Sequence, residues 1–152
     1  MGTTLPVGAC GVNRISIRRL LRGLGALVDA FHARPPDVRI HHFVRAIEGT
    51  LSPDVRREEK FVEAAMLFVR EEPSTQLTLK EIYRLRNKVE HLGDYEAVLA
   101  NTPVAARNDT AMRRARQAEM LAIHLYRKVF TVPGGYVELF SDDASVSFPR
   151  TC

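Results

Sequence analysis

Apolar residues recur at intervals of three and four along most of this chain, and proline, glycine and acidic breaks cut the recurrence into separate lengths. That period is the signature of amphipathic helices and is incompatible with the alternation of a half-buried strand. The first stripe is Ile17, Leu20, Leu21, Leu24, Leu27, Val28 and Phe31, which predicts a helix from Arg14 capped by Asn13 and ended by Pro35-Pro36. Asp37 is expected to cap a second helix with Ile40, Phe43, Val44 and Ile47 on its apolar face, closed by Gly49, Ser52 and Pro53. A third is expected from about Asp54 to Arg70, carrying Phe61, Val62, Ala65, Phe68 and Val69. Residues 71–75 form a polar break before a fourth helix, 78–92.

In that fourth helix Thr78 and Glu81 have the spacing of a capping box, and Leu77 with Ile82 that of a hydrophobic staple. Ile82, Leu85, Val89 and Leu92 form its stripe, and Gly93 is its expected stop. A short helix over Asp94–Leu99, interrupted by Pro103, leads to a last long helix capped by Asp109 or Thr110. Its stripe of Ala111, Ala115, Ala118, Ala122, Leu125 and Val129 has small residues that let a neighbour approach closely. From Val132 the pattern fails: Pro133-Gly134-Gly135 is a turn, Tyr136–Phe140 suits one helical turn or a short strand, and Asp142-Asp143 and Pro149 suit an irregular end. The sum is an all-α fold, an antiparallel helical bundle of four to five main helices with an irregular C-terminal tail. Residues 1–12 read as a frayed N-terminus, and 13–152 as a single domain, long enough to bury a core.

Composition narrows the function classes. A chain 45% hydrophobic and 26% charged is ordinary for a soluble globular protein. It lacks the run of about 18 apolar residues that a membrane span needs. The first dozen residues do not place a basic segment before an apolar run, so no secretory leader is expected. Cys10 and Cys152 have no partner at metal or redox spacing, which suits a reducing cytoplasm. The net charge of +4 is concentrated in residues 1–36, where five arginines (14, 18, 19, 22 and 34) oppose Asp29 alone. Such a segment suits a phosphate-bearing partner, with Arg18 and Arg22 as candidate RNA contacts, or is a solvated helix face.

Most standard sites are missing from the sequence. There is no Gly-rich phosphate loop, no nucleophile elbow and no HExxH or Cys/His quartet, so neither cofactor nor metal is expected. His41 and His42 are adjacent and project about 100° apart on a helix, a poor geometry for chelating one ion. His32, near a helix end, reads as interacting with the helix dipole or solvent, and His124, on the polar side of the last helix, as surface.

Arg86-Asn87-Lys88-Val89-Glu90-His91 is different. Asn87 and His91, four apart, point away from the apolar stripe, with Arg84 close to the same face and Arg86 on a flank about 140° round from His91. The segment offers a histidine that titrates near neutrality, an amide one turn away and an arginine shaped to grip phosphate. Those groups suffice to cleave RNA without metal: a base takes the 2′-OH proton, the oxygen attacks phosphorus, and positive charge stabilises the transition state. By spacing alone, a solvated helix face accounts for the same residues.

The string IYRLRNKVEHL resembles the signature of the HEPN superfamily (higher eukaryotes and prokaryotes nucleotide-binding domains), an Arg followed after four to six residues by His. RIHHFVRAIEGTL from Arg39, RRARQAEMLAIHLYRKVF and the tail FSDDASVSF are similar to flanking parts of the Apea-like HEPN group. The resemblance covers roughly residues 37–148 and none of the first 36. It implies a bundle that forms a homodimer with two motif copies meeting in a cleft. It also implies a metal-independent endoribonuclease of toxin–antitoxin, abortive-infection or antiviral defence systems, held off by an antitoxin or other protein in trans. Carried over by position, Arg86 contacts the scissile phosphate, Asn87 orients substrate or the histidine, and His91 is the general acid/base. Arg84 and Lys88 are further RNA contacts, and Glu48 orients the site from behind, although Arg45–Glu48 also suits a surface pair. Ala64 departs from the polar or basic residue expected there in this group. The alternative within the same family is a non-catalytic module that binds a nucleotide, RNA or a protein partner.

Overall fold

The structure is a computed structural model that describes residues 17–51 and 57–131. The readings of the frayed N-terminus, the Asn13 cap, Ser52, Pro53, both cysteines and the tail from Val132 fall outside these residues. The described residues form five α-helices: α1 (Ile17–His32), α2 (Pro36–Thr50), α3 (Glu58–Met66), α4 (Thr75–Glu90) and α5 (Val104–Thr131). A 3-10 helix, Tyr95–Leu99, bridges α4 and α5. The all-α class is as the sequence predicts. No helix among the described residues is long and apolar enough to cross a membrane.

α2 is the hub, packing on α1, α4 and α5. Pair contacts fix the directions. Arg19 meets Glu48 while Phe31 meets Phe43, so α1 and α2 are antiparallel. Glu81 meets Arg114 at 2.7 Å, and Thr75–Leu79 lie along the same cleft as Leu121–Arg127, so α4 and α5 are antiparallel as well. α2 and α5 run the same way, as Arg39–Glu119 and the shared contact of Gly49 and Gly23 with Tyr126 require. Phe43, Ile40, Ile47, Phe61, Ile82, Leu85 and Leu125 are fully buried at the centre.

α1 departs from its leucine stripe. Its inner face is Gly23, Ala26, Leu27 and Ala30, while Leu21, Val28 and Phe31 are 50–58% exposed. The cause is a close helix crossing. A Cβ on Gly49 would lie 2.7 Å from the Gly23 Cα, so two backbones touch where neither residue can carry a side chain. Arg19 reinforces the crossing by donating Nε–H and Nη2–H to the Glu48 carbonyl, at 2.9 and 2.7 Å, one of the acceptors the end of α2 leaves open.

Three helix starts come earlier than the sequence suggests, while α3 begins later and ends sooner than the expected 54–70. α2 begins at Pro36, with proline at the first helical position, so Asp37 lies in the first turn instead of capping it. α5 begins at Val104, directly after Pro103, and Thr110 is a buried interior residue, not a cap. α4 begins at Thr75, three residues before the expected capping box. The Thr78 amide is already bonded to the Ser74 carbonyl at 2.9 Å, Glu81 pairs with Arg114, and Leu77 is 62% exposed, so neither box nor staple forms. The buried α4 residues are therefore Leu79, Ile82, Tyr83 and Leu85, with Val89 half-buried and Leu92 exposed. The α5 stripe, Ala111 to Val129, is buried as read.

Candidate functional site: two faces of one helix

The inner face of α4 ends in a charged cluster. Arg86 points to α2, donating from Nη2 to both Glu48 oxygens at 3.1 and 2.9 Å. Its Nη1 bonds Glu90 Oε2, one turn on, at 2.8 Å and Asn87 Oδ1 at 2.8 Å. The guanidinium carbon lies 5.5 Å from the Tyr83 ring centre, a cation–π placement. The side chains of Arg86 and Glu48 are only 13% and 14% exposed, so this pair is largely taken out of water. Burial raises the Glu48 carboxyl above its ordinary value, and Arg86 opposes that shift. His41, on the Glu48 side of α2, has a buried Nδ1 without a hydrogen-bond partner among the described residues, as does Arg86 Nε. Burial, with His42 beside it, lowers the His41 ring, and Glu90 pulls the other way.

The outer face is a shallow groove. Arg84, Asn87, Lys88 and His91 line one side, at positions i, i+3, i+4 and i+7 of a helix, and Gly93, Ala97 and Val98 line the other. Its chemistry is cationic and polar over an apolar lip. Arg84 is tied down here by Glu58, with bonds of 2.8 and 2.9 Å. Lys88 is exposed, and its stem lies against Gly93. His91 is the exposed C-cap of α4, its amide bonded to the Asn87 carbonyl at 3.2 Å. The chain then turns through a Schellman closure, Leu92 N–H to Val89 O at 3.2 Å and Gly93 N–H to Lys88 O at 2.8 Å. The left-handed residue is Leu92, with φ 52°, and not Gly93 as the stop signal suggests.

The motif residues therefore separate. Asn87, Lys88, His91 and Arg84 share the groove, and Arg86 does not. The expectation that Arg86 lies on a phosphate-accessible flank gives way to a side chain whose charge two carboxylates already neutralise. Glu48 does stand behind the motif, and its partner is Arg86, not Arg45, which is exposed on α2. Arg18 and Arg22 are exposed on α1 and do not line the groove. Ala64 sits half-buried against the core, where an alanine packs without needing a partner.

Read from sequence, Tyr83 and Glu90 have no assigned role at the site, and His41 is weighed only as a metal ligand beside His42. Glu90 was findable from its i+4 spacing to Arg86, and His41 from sharing a face with Glu48 seven residues on. Asn87 joins the two faces. With Oδ1 accepting from Arg86, its amide NH2 keeps its donors for the groove side.

Comparisons with protein-family profiles, with characterised proteins and with solved structures give no match.

Proposed function

We propose that this chain is a metal-independent endoribonuclease of the HEPN type, acting as a homodimer in the cytoplasm within a toxin or antiviral defence system. The single observation that supports the reading most is the shared groove of His91, Asn87 and Lys88, turned outward from the bundle where RNA and a second copy can both reach it. In this mechanism the His91 imidazole takes the 2′-OH proton, the 2′-oxygen forms a bond to phosphorus, and the bond to the 5′-oxygen breaks. An imidazolium, His91 of the second copy, protonates the leaving 5′-oxygen, leaving a 2′,3′-cyclic phosphate and a 5′-hydroxyl. Lys88 and the Asn87 amide bear the charge that develops on the phosphoryl oxygens. Arg86 acts one step back: held by Glu48 and Glu90, it fixes Asn87.

A second reading rests on that same neutralised arginine. A module that only binds RNA, a nucleotide or an inhibitor protein in trans needs the groove but no free arginine. The experiment is cleavage of mixed cellular RNA in EDTA by wild type and His91→Ala, with the product ends mapped. The expected result is cleavage by wild type alone, leaving 2′,3′-cyclic phosphates. A folded, dimeric wild type that leaves all RNA intact, while binding it through the groove, selects the binding module.

A further inference from the structure

A cavity of about 630 Å³ lies away from the motif. It opens between residues 68–70, which follow α3, the first half of α4 and the second half of α5, because α4 and α5 each pack more extensively on α2 than on one another. Its floor reaches core side chains: Phe68, Leu79, Ile82 and Leu121 are each at most 6% exposed, yet they line it. A cavity of this size, mostly apolar and sunk to the core, has the dimensions of a small-molecule site.

Its polar lining is unevenly distributed. Since α4 and α5 are antiparallel, the start of α4 lies opposite residues 124–127 of α5. Arg70, His124 and Arg127 therefore collect at one end, while Ile82 and Met120 lie towards the other. Arg70 and Arg127 are exposed and in no ion pair among the described residues. Glu72 is the one carboxylate in the lining, so cations outnumber anions there even with His124 neutral. His124 is half-buried rather than solvent-facing as its sequence position suggests, and burial lowers its ring below the ordinary value.

We propose that this cleft binds an amphiphilic anion, an apolar chain of about ten carbons with a single carboxylate or phosphate head. The chain lies over Leu79, Ile82 and Leu121, and the head meets Arg70 and Arg127. The site uses the first half of α4 and leaves the motif groove on its second half untouched. Binding here is independent of whether the groove cleaves RNA.

The test is calorimetric titration of the full chain with decanoate, decyl phosphate, decyltrimethylammonium and butyrate. Saturable binding of decanoate or decyl phosphate is expected, with butyrate and the ammonium at least tenfold weaker; which of the two anions binds tighter identifies the head group. Arg127→Glu, at an exposed position, is expected to weaken the anions at least tenfold. Met120→Trp, also exposed, should weaken them by filling the cavity. Circular dichroism checks that both variants are folded. Absence of saturation by either anion up to 1 mM overturns the proposal, as happens if a second copy or another segment of this chain already covers the cleft. Equal binding of the ammonium overturns it too.

Discussion

Arg86 and His91 belong to one six-residue run on one helix, and they live in different surroundings. Arg86 is 13% exposed, enclosed by Glu48, Glu90, Asn87 and Tyr83. His91 caps the helix end in the open, beside Asn87 and Lys88. The inner face carries polar groups that burial makes costly unless they are paired, so its residues are held by one another. The outer face carries groups that burial does not constrain, so its residues are available to a ligand. A motif written as a string erases this difference, and under the proposed function the difference divides the roles: the buried arginine would position and the exposed histidine would react.

The largest effect should follow from breaking the inner face. Arg86→Ala leaves Glu48 and Glu90 partly buried without their counter-charge, and is expected to cost about 3–5 kcal/mol in urea unfolding, the range for removing one partner of a buried pair. Arg86→Met combined with Glu48→Leu should recover most of that loss, because two apolar groups of similar volume need no partner. Recovery of stability without recovery of cleavage would separate packing from the positioning of Asn87.

His91→Ala tests the opposite face. Cleavage should fall about 10²–10⁴-fold, the usual share of a proton-transfer group, while stability moves by less than about 0.5 kcal/mol. The reverse pattern, a large loss of stability with activity kept, would make the two faces equivalent and remove the basis for the role assignment.

The two faces also differ in pH response. Burial raises the Glu48 carboxyl above its ordinary 4.5, so the folded state holds that proton to higher pH than the unfolded state does. The folded state then binds more protons across the interval from 4.5 up to the raised value, and this group's contribution to stability falls as pH rises through it. Glu48→Gln cannot ionise and should flatten that fall, measured as urea midpoints at successive pH values. Unchanged slopes would mean that Arg86 outweighs the burial of Glu48.

Class and helix order were legible because periodicity reports directly on which face is dry. Five stripes gave five helices, the α5 alanines were buried as read, and Asp94 caps the 3-10 helix, accepting from the Glu96 amide at 2.8 Å. What periodicity could not reveal was who packs on whom. Leu21, Val28 and Phe31 of α1 face out because Gly23 and Gly49 pull two backbones together, a long-range fact invisible to a window of one helix. The burial of Arg86 was illegible for a related reason: its partner carboxylate, Glu48, lies on another helix 38 residues away.

The smallest effect concerns the joint between the faces. Leu92 adopts φ 52° with its side chain 96% exposed, so it accepts left-handed backbone strain and buries almost nothing in return. Relieving that strain should outweigh the extra freedom glycine gives the unfolded chain, so Leu92→Gly is expected to raise stability by about 0.5–1 kcal/mol. Leu92→Ala keeps the strain and should change little, and Leu92→Val, branched at Cβ, should lower stability. The residue follows His91 directly, and the Schellman bonds of Leu92 and Gly93 set where the histidine sits over the groove. Glycine loosens that closure. If the strained leucine holds His91 in place, Leu92→Gly gains stability and loses cleavage together. Stability gained with cleavage intact shows that Asn87 and Lys88 hold the geometry of the groove without it.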